Sequence, residues 1–146
     1  MVDYTGAHKA TRLIGKVFEE NDYKFTVDLH KHISVIKIGM VGETIPHMDY
    51  YFFSSDEDND VSIHSGTIVR VPEDKIAAAH RAINQCNNEF RFARFSMTKD
   101  NGIRVSAAIP LKVSDECLGE VAHDLLLCLD SILDDAYPIL MKAIWA

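Results

Sequence analysis

The sequence has too few cysteines, and too scattered an arrangement of them, for a disulfide framework. It contains three, Cys86, Cys117 and Cys128, and no Cys-x-x-Cys pair. We therefore expect neither a disulfide-stapled fold nor a structural zinc site. Cysteine usage of this kind is typical of a reducing compartment, which indicates a cytoplasmic protein.

Basic residues are also scarce relative to acidic ones. The chain has 15 Lys and Arg against 22 Asp and Glu, for a formal net charge of −7. A nucleic-acid-binding protein needs a basic face to neutralise phosphates, so we expect no nucleic-acid partner. The sequence has no run of about 18 apolar residues, which a membrane-spanning helix requires. Its first residues do not place a basic region before an apolar run, so we expect no secretory signal either.

Motifs for catalysis and for metal binding are missing as well. No Gly-x-Ser-x-Gly is present, and residues 39–42 lack the lysine of a phosphate-binding loop. The acidic run at residues 56–60 lacks the glycine and the glutamate of a calcium loop. His30 and His32 share a strand face, but no third ligand is obvious, and surface turn histidines are the favoured interpretation. We expect no enzyme, no metal and no cofactor.

The chain does have enough apolar sequence to build a core. Of its 146 residues 47% are hydrophobic, which suits one domain over residues 1–146. Apolar periodicity predicts an α+β fold in which an antiparallel sheet packs against helices, in the order α-β-β-β(-β)-α-β-β-α. Helices are predicted over residues 7–20, from residue 72 to the asparagines at 87 and 88, and over residues 115–142. Strands are predicted over residues 23–29, 32–41, 48–54, 61–71, 90–98 and 103–111.

Two local signals in the second half of the chain mark its turns. Asn101-Gly102 is the strongest short-range signal for a hairpin. Asn87 and Asn88 are predicted to end their helix in the left-handed conformation. On the return strand of the hairpin, apolar and polar residues alternate, so one face is expected to be core and the other weakly covered.

The last helix carries an apolar stripe that is long for a small sheet. Ser114 is its predicted N-cap. Pro138 removes a helical hydrogen bond and clashes with the carbonyl of Asp134, so a kink or a break is expected there. The tail beyond it, which ends in Ile144 and Trp145, should pack either on its own sheet or on another subunit. The tail is therefore a candidate contact for a dimer or a partner.

A second candidate contact lies in the strand at residues 48–54. Its aromatic residues lie on both faces, with Tyr51 and Phe53 on one of them. A strand that is apolar on both faces is usually covered on both sides, at least in part. A single layer of helices covers only one side, which leaves Tyr51 and Phe53 as candidates for contact with a partner.

Asn84, Asn87 and Arg94 belong to the densest polar cluster of the chain. Asn84 and Asn87 are three residues apart and share a helix face. One interpretation is that the amide side chains fix the turn into the next strand. The other is that they floor a polar pocket for a small ligand. The first interpretation is favoured.

Residues 83–95, Ile-Asn-Gln-Cys-Asn-Asn-Glu-Phe-Arg-Phe-Ala-Arg-Phe, resemble the signature of the YbjN family. In that family a helix ends with Asn-x-x-Asn, and an aromatic and a basic residue open the next strand. A turn, a second strand and a long C-terminal helix follow, and residues 100–102 and 118–140 fit this order. The resemblance covers about the second half of the chain. It implies a bacterial sensory transduction regulator of the cytoplasm with a fold like that of type III secretion chaperones.

The resemblance also implies a protein that is often dimeric and has no known catalytic residues. Secretion chaperones bind partner segments on exposed apolar sheet or groove surfaces, which fits Tyr51 and Phe53 here. Our first hypothesis is a non-enzymatic, homodimeric protein-interaction module, a regulator or chaperone-like binder. The alternative is a small-ligand sensor or minor enzyme that uses a pocket near Asn84, Asn87 and Arg94.

Overall fold

The first helix forms because its apolar residues recur at helical spacing. The structure, a computed structural model, describes residues 2–55, 60–112 and 115–146. Helix α1 spans Lys9–Glu20 and buries Ile14 and Phe18 completely. Asp22 then takes the left-handed conformation with φ of 60°, so the Asn-Asp pair ends the helix as predicted.

The first half of the sheet is a run of antiparallel strands. They are β1 (Phe25–His30), β2 (Ile33–Met40), β3 (Met48–Ser54) and β4 (Asp60–Ser65). The strand predicted over residues 61–71 is in fact two, because the chain leaves the regular ladder at Gly66 and re-enters it as β5 (Val69–Arg70). Glycine in a strand interior often marks such an irregularity.

The second half opens with a 3₁₀ turn, Glu73–Lys75, which leads into α2 (Ile76–Glu89). The prediction of a left-handed helix end at Asn87 and Asn88 is wrong. Helix α2 continues to Glu89, and the left-handed residue of the connection is Phe92, with φ of 67°. Strand β6 (Arg94–Met97) therefore starts four residues later than predicted.

The predicted hairpin at Asn101-Gly102 is confirmed. It joins β6 to β7 (Gly102–Pro110), and Asn101 has φ of 60°. The backbone N–H of Thr98 donates to the Gly102 carbonyl at 2.8 Å, which closes the turn.

All strand pairs are antiparallel, in the order β1-β2-β3-β4-β7. Strand β6 pairs with the first half of β7 on the side away from β4, and β5 pairs with the start of β7 on the β4 side. The predicted α+β class with an antiparallel sheet is thus confirmed.

The last helix, α3, runs without interruption over Asp115–Trp145. A break at Pro138 is therefore a wrong prediction. Pro138 has no N–H to donate to the carbonyl of Asp134, but the hydroxyl of Thr44 lies 2.9 Å from that carbonyl oxygen and donates to it. The predicted N-cap, Ser114, lies outside the described residues.

The three helices share one core with one face of the sheet. That core takes residues from α1, α2 and α3 and the alternate strand positions represented by Ile36, Phe52 and Ile63. Helices α1 and α3 approach closely at Gly119, where an added Cβ would lie 2.7 Å from the carbonyl oxygen of Leu13. The opposite face of the sheet contributes almost nothing to this core and is the face on which the candidate site lies.

Candidate binding face of the sheet

The helix-free face of the sheet carries an aromatic pair at its centre. Tyr51 and Phe53 are both half-buried, and their rings are stacked with centroids 6.3 Å apart. They lie there because β3 alternates and its other residues, such as Tyr50 and Phe52, fill the core. The pair therefore forms an apolar platform that no helix covers.

His64 extends this platform across β4. It pairs in register with Tyr51, and its ring lies 5.5 Å from that of Phe53 in an edge-on arrangement. The pKa of His64 is lowered, first by burial and then by the positive charges of Arg104 and Arg94. The imidazole is therefore held neutral next to two guanidinium groups.

Arg94 reaches the same face from the far edge of the sheet. It pairs with Ser106 on β7, and Ser106 pairs with His64 on β4. Its neighbour Phe95 points into the core, so the Arg94 side chain projects to the helix-free side. Three residues singled out from the sequence, Tyr51, Phe53 and Arg94, thus lie on one face.

Asn87 does not contribute to that face. Its side-chain amide nitrogen donates to the carbonyl of Phe95 at 3.0 Å, and its amide oxygen accepts from the N–H of Phe95 at 2.7 Å. This pairing fixes the end of α2 to the first residues of β6, as the favoured interpretation of the polar cluster predicted. Asn84 is exposed on α2, and its carbonyl accepts a hydrogen bond from the side chain of Asn88. The hollow that Arg94 lines contains neither Asn84 nor Asn87.

The two tail residues have different surroundings. Ile144 is 0% exposed and belongs to the core of its own chain. A direct contact of Ile144 with another chain, the role considered for it from the sequence, does not fit this burial. Trp145 is 61% exposed. It lies next to a groove between α2 and α3 of about 540 Å³, which is lined by Ala78, Arg81, Ala82, Gln85, Ile139, Lys142, Ala143 and Ala146.

Sequence reasoning missed three residues of the helix-free face: His64, Arg104 and Phe92. The alternation in β4 and β7 places His64 and Arg104 opposite the core, so their face was predictable once the strands were paired. The position of Phe92 was not, because a left-handed phenylalanine has no local sequence signal.

Metal-ligating residues do not cluster in the described part of the chain. Over residues 2–55, 60–112 and 115–146, no group of three His, Cys, Asp or Glu side chains is placed to hold an ion. His30 and His32 are exposed on either side of Lys31, which has φ of 55° in the β1–β2 turn. Most of the acidic run, residues 56–59, lies outside the described residues. None of the helices in the described residues is both long enough and apolar enough to cross a bilayer.

Comparison with known proteins identifies the family. The YbjN family model, described as "Putative bacterial sensory transduction regulator", matches residues 12–139. The protein therefore belongs to the YbjN family. Among solved structures, a chain in the crystal structure of the ExsC-ExsE complex is similar over 100% of this chain and 99% of that chain, with 13% identity and a TM-score of 0.45. That likeness is too low to say what this chain binds, and no curated protein matches the sequence.

Proposed function

We propose that this chain is a non-enzymatic protein-interaction module of the bacterial cytoplasm, a regulator or chaperone-like binder that works as one domain over residues 1–146. The family's description as a regulator supports a role exerted through binding. The observation that carries the proposal is the helix-free sheet face with Tyr51 and Phe53 stacked at its centre.

A segment of a protein partner suits this face better than a small ligand does. The aromatic pair lies on an open sheet. Lys37 and His64 are in register with Tyr51, and Val35 and Ser62 are in register with Phe53, so charged and polar side chains border an apolar centre. An apolar centre with a polar rim is the usual composition of a protein–protein interface. Covering the two rings removes apolar surface from water, which stabilises a complex by about 25 cal/mol per Å².

The small-ligand alternative has no comparable support. Asn87 was expected to line the ligand pocket, but the nitrogen and the oxygen of its side-chain amide are both hydrogen-bonded to the backbone of Phe95. An asparagine engaged in this way fixes the backbone of the next strand, and one N–H and one oxygen lone pair of its amide are already used for that.

The proposed module is a homodimer, and Trp145 is its proposed anchor. An exposed tryptophan is an unusual surface residue and a frequent interface residue. The groove between α2 and α3 has small residues, Ala78, Ala82 and Ala143, along its walls. We place Trp145 of one copy in this groove of a second copy, an arrangement that two-fold symmetry repeats on both sides.

Partner binding is tested by removing the platform without disturbing the strand. In a Tyr51→Thr, Phe53→Thr protein, threonine keeps the preference for strand while the rings are lost. Val41, which is 78% exposed outside the platform, gives the control Val41→Thr. Each protein is used to capture partners from extract of the source organism. We expect one or more proteins to be recovered by the natural chain and the control, and lost by the double variant at an unchanged melting temperature. Equal recovery by all three would contradict the proposal.

A further inference from the structure

One half of the helix-free face is positively charged although the chain as a whole is acidic. A hollow of about 450 Å³ lies there between β4, β7 and the loop before β6, and His64, Arg94, Ser62, Ser106 and Phe92 are among its walls. Arg104 lies on the same face of β7, two residues before Ser106. The formal net charge of the chain is −7, so the charge of this hollow is opposite in sign to that of the protein as a whole.

The two arginines of this half have no acidic partner among the described residues. Neither Arg94 nor Arg104 forms an ion pair with any residue that the structure describes. Of the described residues that line the hollow, Asp60 alone carries a carboxylate. Farther along the face, Asp49 already has two partners. Its Oδ1 lies 2.9 Å from Nε2 of His47, and its Oδ2 lies 3.8 Å from Nζ of Lys37. Cationic groups left without a counter-charge on a partly buried face favour an anionic occupant.

Two buried nitrogen atoms in this half also have no hydrogen-bond partner among the described residues. They are Nδ1 of His64 and Nε of Arg104. Most buried polar atoms in proteins are hydrogen-bonded, so each exception calls for an explanation. An occupant of the hollow would bring acceptor groups to the side of the sheet on which both residues lie.

Phe92 forms the rim of the hollow in a conformation that is unfavourable for it. Its φ of 67° is in the left-handed region, and its side chain is 75% exposed. A bulky residue in this region is strained, and such strain is concentrated at functional sites. Phe92 thus contributes an exposed aromatic residue to the lining of the hollow.

We propose that this hollow binds an acidic segment of the protein partner, with carboxylates of the segment on Arg94 and Arg104 and an apolar side chain against Phe92. The proposal rests on the proposed function, because it names the chemistry of the partner that the same face receives. A segment is favoured over a small anion by the length of the surface. A single cross-strand row joins Lys37, Tyr51, His64, Ser106 and Arg94. At ~4.8 Å between strands the row is about 19 Å long, the reach of about six extended residues.

Binding of carboxylates here has a consequence for His64. Three charged groups face His64: Arg104 on β7, Arg94 on β6 and Asp60 on β4. Lys37 lies farther along the same cross-strand row. The ring of Phe53 contacts the imidazole edge-on. Partner carboxylates offset the repulsion from the two arginines, so the pKa of His64 rises in the complex. The segment therefore binds more tightly as the pH falls through the range in which His64 titrates.

The test uses poly-L-glutamate as the probe and the imidazole resonances of His64 as the readout, assigned by comparison with His64→Gln. The test protein is Arg94→Gln, Arg104→Gln. The matched control is Lys9→Gln, Lys16→Gln, which makes the same change in net charge on α1, where both residues are exposed. We expect the probe to shift the His64 resonances of the natural protein, and more weakly as salt is added. We expect about tenfold weaker binding in the test protein and less than twofold in the control.

Three results would overturn the proposal. They are equal binding by the test and control proteins, no response to poly-L-glutamate, and saturation by inorganic phosphate without a response to the polymer, which would indicate a small anion instead. The platform variant Tyr51→Thr, Phe53→Thr separates this inference from the proposed function. If that variant loses a partner that Arg94→Gln, Arg104→Gln retains, the protein-binding role stands and the acidic segment is wrong.

Discussion

Tyr50 and Asp130 form a hydrogen bond between the centre of the sheet and the middle of α3. The hydroxyl of Tyr50, whose side chain is 0% exposed, donates to Oδ1 of Asp130 at 3.0 Å. Burial raises the pKa of Asp130, the hydrogen bond from Tyr50 lowers it in part, and the negative charge of Asp134 raises it again. One helical turn away, hydrogen bonds from the backbone of Glu43, Thr44 and Ile45 and from the Thr44 hydroxyl lower the pKa of Asp134. Two carboxylates on one helix are thus shifted in opposite directions.

These shifts predict opposite pH dependences for two matched substitutions. Asp130 binds its proton more tightly in the folded state than in the unfolded state, so its contribution to stability is present at low pH and is lost as pH rises. Asp130→Asn keeps an acceptor for Tyr50, and we expect its free energy of unfolding, relative to the natural protein, to increase from acid to neutral pH. Asp134→Asn should lose stability relative to the natural protein over the same rise, because the charged form of Asp134 is the favoured one. Urea unfolding at a series of pH values measures both, and the same sign of slope for both would contradict the assignment.

We expect the continuity of α3 through Pro138 to depend in part on Thr44. The Thr44 hydroxyl lies 2.9 Å from the carbonyl oxygen of Asp134, which Pro138 leaves without a donor, and 2.9 Å from Oδ1 of Asp134, so the two oxygens share its one proton. Oδ1 also accepts from the backbone N–H of Thr44 at 3.0 Å. We expect Thr44→Val to lower the free energy of unfolding by about 1 kcal/mol and Thr44→Ser to lower it much less.

A double-mutant cycle isolates this effect. In Pro138→Ala the helix regains its own N–H, so Thr44→Val should be less harmful by about 0.5–1 kcal/mol in that background. Equal effects of Thr44→Val in the two backgrounds would show that the hydroxyl does not replace the missing helix donor.

The Asn87 amide should be essential for stability but not for binding. Asn87→Ala leaves the N–H and the carbonyl of Phe95 without their partners, and we expect a loss of about 1–3 kcal/mol in unfolding free energy. Asn84→Ala, three residues earlier on an exposed position, is the control and should be within about 0.5 kcal/mol of the natural protein. Partner capture by Asn87→Ala below its melting temperature should be normal. Lost capture by a folded Asn87→Ala protein would show that this amide contributes to partner binding and would contradict its purely structural role.

The proposed dimer can be followed through its own anchor, since Trp145 is the single tryptophan of the chain. If Trp145 enters the α2–α3 groove of a second copy, its emission maximum shifts to shorter wavelength as protein concentration rises, with a matching increase in mass by light scattering. Ala78→Gln, at a half-buried position of the groove, should keep the protein monomeric, whereas Val41→Thr should not. If the protein has the mass of a dimer but its emission maximum does not change with concentration, the dimer interface does not include Trp145.

The elements and their faces follow from local sequence patterns. Alternation in residues 48–54 is enough to place Tyr51 and Phe53 opposite the core, and the spacing of Ile14 and Phe18 is enough to orient α1. These predictions succeed because a strand and a helix each have a fixed period. The amide of Asn87 was also predictable, because its partner Phe95 is only eight residues away.

Other features depend on contacts between distant parts of the chain. Thr44 and Asp134 are 90 residues apart, so the sequence around Pro138 does not reveal their contact. That sequence predicts a kink or a break, and α3 continues without a break. Arg94 joins Tyr51 only because β7 lies between β4 and β6, an order that no local pattern specifies. To predict the burial of Ile144, one likewise has to know that α3 stays helical to its end.

The central claim is that a protein partner covers Tyr51. The direct measurement replaces Tyr51 with the photo-crosslinking amino acid p-benzoylphenylalanine in cells of the source organism. Lys16, which is exposed on α1 at the helix side, receives the same replacement as the control. We predict a light-dependent adduct of defined mass with another protein at position 51 and none at position 16. The absence of an adduct at position 51, or the same adducts at both positions, would contradict the claim.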